Sequence, residues 1–86
     1  MEIKRDFNLR KIAGEYILMT KNTSQEGYNH LISLNEVEAL VWNNLEECKN
    51  EEEILSLITN TYMVKKSDAR KDLSDFLRQL QEAHII

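Results

Sequence analysis

The chain has 86 residues, 42% of them hydrophobic and 30% charged, with two glycines and no proline. This composition excludes disorder over most of the length and suits one compact, helix-rich domain spanning residues 1–86. The formal charge of −4, with no basic run at either end, argues against nucleic acid as a partner, because little would release counterions from a phosphate backbone.

Three strands are expected first, at about 6–12, 15–20 and 28–34. Phe7 and Leu9 alternate with Asn8 and Arg10, Ile12 breaks that alternation, and Ala13-Gly14 supplies a turn into EYILMT. The polar segment KNTSQEG, 21–27, reads as a hairpin loop before the third strand. In that strand His30, Ile32 and Leu34 fall on one face, and Leu31 and Ser33 on the other.

Three helices follow, at about 36–47, 51–62 and 68–83. Asn35 is a good N-cap with Glu38 in the capping-box position, and Val37, Leu40, Val41 and Leu45 make an apolar stripe with Trp42 at its margin. Asn50 repeats the cap ahead of Glu51, Glu52 and Glu53, whose charges suit the positive end of the helix dipole. The apolar face of this second helix is Ile54, Leu57, Ile58 and Tyr62. Ser67 is the expected cap of the last helix, whose stripe is Ala69, Leu73, Phe76, Leu77 and Leu80. His84-Ile85-Ile86 then reads as an apolar tail that folds back. The expected fold class is α+β, a three-stranded antiparallel sheet followed by a winged-helix-like three-helix bundle.

Catalytic machinery is hard to place on this framework. Gly14 and Gly27 are isolated, so no glycine-rich phosphate loop exists. His30 and His84 lack a carboxylate or second histidine at i+3 or i+4. Ser33 falls on the strand face opposite His30, which disfavours a Ser-His pair, and the carboxylates of Glu51 to Glu53 point in different directions. The single cysteine, Cys48, excludes an internal disulfide and reads as a helix residue. No enzyme activity, catalytic residue, metal site or cofactor is therefore expected. No apolar run approaches the length of about 20 residues that a membrane span needs, and the N-terminus lacks a signal-peptide core, so a cytoplasmic protein without membrane contact is expected.

Two binding readings survive. A winged-helix DNA-binding regulator would use Arg70, Lys71, Arg78 and Gln79 of the last helix, yet Asp68, Asp72, Asp75 and Glu82 lie among them. Alternatively, if the strands form a meander, the outer edge of the third strand is either covered or bare, and a bare edge accepts a peptide strand or pairs with a second copy as a structural subunit. A monomer or weak homodimer is expected.

The order FNLRKIAGEYILMT, HLISLNEVEALVWNNLEE, EEEILSLITNTYMV, DARKDLSDFLRQLQEAHII resembles the PqqD-like family, peptide-recognition domains of ribosomally made, post-translationally modified peptide pathways. The junction Leu34-Asn35-Glu36 with Ala39, Val41 and Trp42 is similar to the family's L-N-x-x-A-x-x-I-W pattern. Asp72-Leu73 with Phe76-Leu77 and Leu80 is similar to its D-V-x-x-F-L-x-x-L helix. The resemblance implies capture of the leader segment of a precursor peptide by addition to the third strand, in a groove between that strand and the last helix. It also implies presentation to a modifying enzyme such as a radical S-adenosylmethionine protein, which would hold any iron-sulfur cluster itself. The peptide-binding residues so implied are His30, Leu31, Ile32, Ser33 and Leu34, mostly through their backbone, with Leu73, Phe76, Leu77 and Leu80 as floor and Asp72 or Arg70 at a rim.

Overall fold

The computed structural model describes residues 2–3, 7–20 and 31–86, with the side chains of Thr20 and Leu31 left aside. Three strands, β1 (Phe7–Ile12), β2 (Glu15–Thr20) and β3 (Leu31–Leu34), precede three helices, α1 (Glu36–Asn44), α2 (Glu51–Thr61) and α3 (Lys66–Glu82). The fold is the expected α+β arrangement. Asp6, the 21–27 loop, and Tyr28 to His30 lie outside the described residues.

The sheet is an antiparallel meander in the order β1-β2-β3. Ala13 and Gly14, with φ of 52° and 83°, form the two-residue turn between β1 and β2. Positive φ at both central positions matches the twist of the flanking strands, and glycine adopts it at little steric cost. Pairing places Leu9 opposite Leu18, Leu18 opposite Ile32, and Tyr16 opposite Leu34. These residues share one face with Phe7 by strand alternation. Leu18, Phe7 and Leu34 are buried, with Leu9, Tyr16 and Ile32 packed against the same core. Ile12 and Ser33 fall on the outer face, and both are exposed.

α1 begins without a linker. The Asn35 side chain accepts from the Glu38 amide at 2.8 Å, and the Asn35 amide donates to Glu38 Oε1 at 2.9 Å, completing a capping box. The helix ends at Asn44, with residues 45–47 in a turn, so it is shorter than the sequence pattern predicts. Its buried residues are Ala39, Val41 and Trp42, followed by Leu45, whereas Val37 and Leu40 are only half-buried. The stripe is thus rotated towards Trp42, whose ring meets Phe7 edge-to-face at 6.4 Å. An aromatic pair of that geometry stabilises beyond its buried area, and it draws Trp42 into the core rather than to its margin.

Asn50 caps α2 by accepting from the Glu53 amide at 3.0 Å, while Glu53 reaches back to the Lys49 amide at 2.7 Å. Ile54, Leu55 and Ile58 are buried; Leu57 and Tyr62 are half-buried, so Leu55 replaces Leu57 on the expected inner face. α3 starts at Lys66, two residues before its predicted beginning, with extended Lys65 as N-cap and no side-chain cap. Ser67 therefore lies in the first turn instead of capping it, and the Ala69 amide finds the Lys65 carbonyl at 2.9 Å. All five residues of the expected α3 stripe are buried.

The α3 C-terminus turns back through His84, at φ 60°, a left-handed position that histidine adopts more readily than most residues. The Ile85 amide then reaches the Leu80 carbonyl at 2.9 Å, the long-range bond of a Schellman-type ending. This seats Ile85 in the core at 0% exposure. α2 and α3 are also joined at the surface by Arg70 and Glu52, 2.6 Å apart. The hydrogen bond and charge of Arg70 hold the Glu52 carboxyl below its ordinary value, and the same contact raises Arg70.

Two outcomes follow. Asn35→Ala removes one half of the capping box and should cost about 1 kcal/mol in urea unfolding. Glu52 titrates lower in the folded chain than in the unfolded one, so its stabilisation is present above the unfolded carboxylate's pKa and is lost as pH falls through the folded value. Glu52→Gln should accordingly lower stability slightly at neutral pH and low salt, with the difference from the native chain vanishing in acid.

Candidate functional site

Because β3 is the last strand in the sheet order, one of its edges pairs with β2 and the other carries no strand among the described residues. Alternate amides and carbonyls of an edge strand point away from the sheet and are open to a further strand. The inner face of β3 is committed to the core through Leu34, 6% exposed, and half-buried Ile32. What β3 presents outwards is therefore Ser33 and its main chain.

Beyond Leu34 the surface is hollowed. A cleft of about 260 Å³ lies between the start of α1 and the middle of α3. Val37, Val41, Ile58, Leu73 and Phe76 give it an apolar lining, while Asn35, Glu38, Asp72, Asp75 and Gln79 supply its polar groups. A shallow depression next to it includes Ser33, Leu34 and Tyr16, and shares Asn35 and Glu38 with the cleft. At the other end a second cleft, about 330 Å³, shares Val37, Ile58 and Asp72 and runs to Met63, Val64 and Lys65. These hollows follow one another from the end of β3 along α3 to the α2–α3 connection. The Asn35–Glu38 capping box stands where the strand part meets the helix part.

The residues expected at the site divide accordingly. Ser33 and Leu34 line the depression, and Asp72, Leu73 and Phe76 line the first cleft. Ile32 packs inward beside them. Leu77 and Leu80, 3% and 0% exposed, belong to the core and line none of these three hollows. Arg70 is turned towards Glu52 of α2 and lines none of them either, so Asp72 is the rim residue of the pair. Leu31 belongs to β3 by its backbone, and His30 falls outside the described residues.

Of the other lining residues, Val37, Val41 and Ile58 are expected on apolar helix faces and Asp75 and Gln79 only in the DNA-binding reading, none of them as peptide-binding residues. Asp75 and Gln79 were detectable: Asp68, Asp72, Asp75 and Gln79 recur at i, i+4, i+7 and i+11, one edge of a helix. Opposite charges nearly cancel over α3 as a whole, but not along this edge. Every buried residue among those described is apolar, and no group of three metal-ligating side chains is found among them. The chemistry on offer is a strand edge, an apolar floor and an acidic rim. No described helix is long and apolar enough to cross a membrane.

The solved structure of TbiB1 in complex with the TbiA(beta) leader peptide is similar to this chain, with 30% identity, a TM-score of 0.72, and coverage of 99% of this chain and 93% of that one. No curated protein matches the sequence. Residues 15–86, from the first residue of β2 to the last of the chain, match the family described as Coenzyme PQQ synthesis protein D (PqqD), and the chain belongs to that family.

Proposed function

We propose that this protein binds the leader segment of a ribosomally made precursor peptide and presents it to a modifying enzyme, itself contributing no catalytic group. The reading is supported by the unpaired edge of β3 and by an apolar cleft beside α3 that begins at Asn35, the residue after that strand, in a chain similar to a protein solved with a leader peptide. The leader adds to Leu31–Leu34 as a fourth strand. Its main chain bonds to β3, and its side chains on one face reach the cleft floored by Leu73 and Phe76. Affinity from main-chain bonds tolerates sequence variation, while the cleft selects among side chains.

The magnitudes suit a carrier that must release its cargo. About four main-chain hydrogen bonds at roughly 1 kcal/mol net each, and two apolar side chains at roughly 1.5–3 kcal/mol each, are set against at least about 4 kcal/mol for association. The balance is a reversible complex of micromolar or weaker affinity. The enzyme served in this way is of the radical S-adenosylmethionine class or another peptide-modifying class, and any cluster or cofactor resides there.

Duplex DNA is a poorer ligand for this surface. The α3 edge facing the clefts carries Asp68, Asp72 and Asp75, which would repel phosphates where a recognition helix needs cations.

Strand addition makes a period-two demand on the ligand. Single N-methylation along a synthetic leader peptide should weaken binding by roughly 1 kcal/mol, about fivefold, at alternate residues whose amides face β3. The intervening residues should tolerate it, as read by calorimetric titration. A peptide insensitive at every position would contradict strand addition.

A further inference from the structure

The rim along α3 is chemically one-sided. Asp68 and Asp72 border the second cleft, Asp72 and Asp75 the first, and Glu38 adds a carboxylate from the α1 wall. Two of these are already engaged: Asp75 with Arg78 at 3.1 Å, and Glu38 in the capping box. Asp68 and Asp72 are in no ion pair among the described residues, and both are exposed. Among the lining residues of the two clefts, Lys65 at the far end is the sole cation. Asp72 is set apart further because it borders both clefts, which also share the apolar Val37 and Ile58.

An occupant of these clefts must therefore satisfy an apolar lining together with a rim on which Asp68 and Asp72 carry no ion pair among the described residues. A second copy of this chain is a poor fit, since it carries a net charge of −4 and would bring its own acidic rim. A phosphate-bearing ligand fails for the same reason. The extended geometry also limits the ligand. Phe76 lies eight residues after Asp68, a rise of about 12 Å along α3, which an extended peptide covers in about four residues.

Resting on the leader-peptide reading, we propose that the bound peptide carries a lysine or arginine that seats against the Asp72 carboxylate, between two apolar side chains about four residues apart. One apolar side chain occupies the cleft over Leu73 and Phe76, and the other the cleft over Ile58 and Ala69. The cation steers encounter and fixes register, while the apolar contacts supply most of the affinity. Register matters because main-chain bonding to β3 alone would accept a leader slipped by two residues.

The test is selection of a displayed library of short random peptides on the full chain and, in parallel, on Asp72→Asn. The expected result is enrichment of a lysine or arginine at a fixed position relative to two apolar residues, a preference lost on Asp72→Asn. Individual enriched peptides should bind Asp72→Asn about two- to fivefold more weakly at low salt, and Glu82→Gln, off this edge, with unchanged affinity. Asp72→Lys should bind the same peptides poorly, and recover when their cation is replaced by glutamate. Because Asp72 is exposed and unpaired, these variants should fold, which circular dichroism checks. Enriched peptides with no cation preference, or with one that survives in Asp72→Asn, would overturn the proposal. Amide resonances of Ile32 and Ser33 report separately on strand addition: if they shift with cation-free peptides, the leader-peptide reading stands and the charge proposal fails. Should cation-dependent binding leave them unmoved, strand addition fails and takes the proposed register with it. A library yielding no binder would overturn both.

Discussion

The capping box at Asn35 and Glu38 is the contact on which the arrangement of this molecule depends. Leu34 ends β3 inside the core and Glu36 begins α1, so a single residue, Asn35, must turn extended chain into helix. Its side chain satisfies an amide that the helix would otherwise leave open, and Glu38 returns the favour to the Asn35 amide. Strand and helix are thereby held in one relation with no flexible residue between them. The same two residues line both the depression at the end of β3 and the cleft beside α3. A looser junction would leave the strand edge and the cleft free to move apart, and a ligand spanning both would lose the pre-ordering that limits its binding cost.

α3 contributes to two adjoining surfaces. Its stripe from Ala69 to Leu80 is buried against the rest of the core, and the C-terminal return that seats Ile85 closes the core's far end. The Arg70–Glu52 pair lies on the α2 side of that stripe, while Asp68, Asp72 and Asp75 lie on the cleft side. The helix is anchored by one flank and displays the other. Leu73 and Phe76 belong to both surfaces, being 3% and 2% exposed yet lining the cleft. Their truncation would confound stability with binding, which makes the exposed Asp72 the better probe of the surface.

Much of this was legible in the residues. The α3 stripe was read in full because a seventeen-residue helix repeats its period enough times to fix the buried face. The capping box could be read because it is local. The stripes of α1 and α2 were misjudged at Trp42 and Leu55, where short helices leave the face ambiguous. For Trp42 the decision lies with Phe7, a partner 35 positions away in sequence. Ser67 looked like a cap but sits inside the first turn, since the helix finds its first carbonyl at Lys65 instead. Of the residues expected to bind peptide, Asp72, Leu73 and Phe76 line the cleft. Leu77, Leu80 and Arg70 were grouped with them because a stripe in sequence does not say which of its flanks is covered. The acidic edge is invisible in the net charge of the whole helix, because Lys66, Arg70, Lys71 and Arg78 offset Asp68, Asp72, Asp75 and Glu82.

In the proposed function this small domain works chiefly through the main chain of Leu31 to Leu34, with side chains of α3 selecting what that edge retains. Intermolecular nuclear Overhauser effects between an isotope-labelled chain and its precursor's leader peptide test this most directly. Main-chain cross-peaks from the peptide to Leu31–Leu34 in a regular strand ladder are expected, together with side-chain cross-peaks to Leu73 and Phe76. A complex whose cross-peaks fall on other surfaces, with β3 untouched, would contradict it.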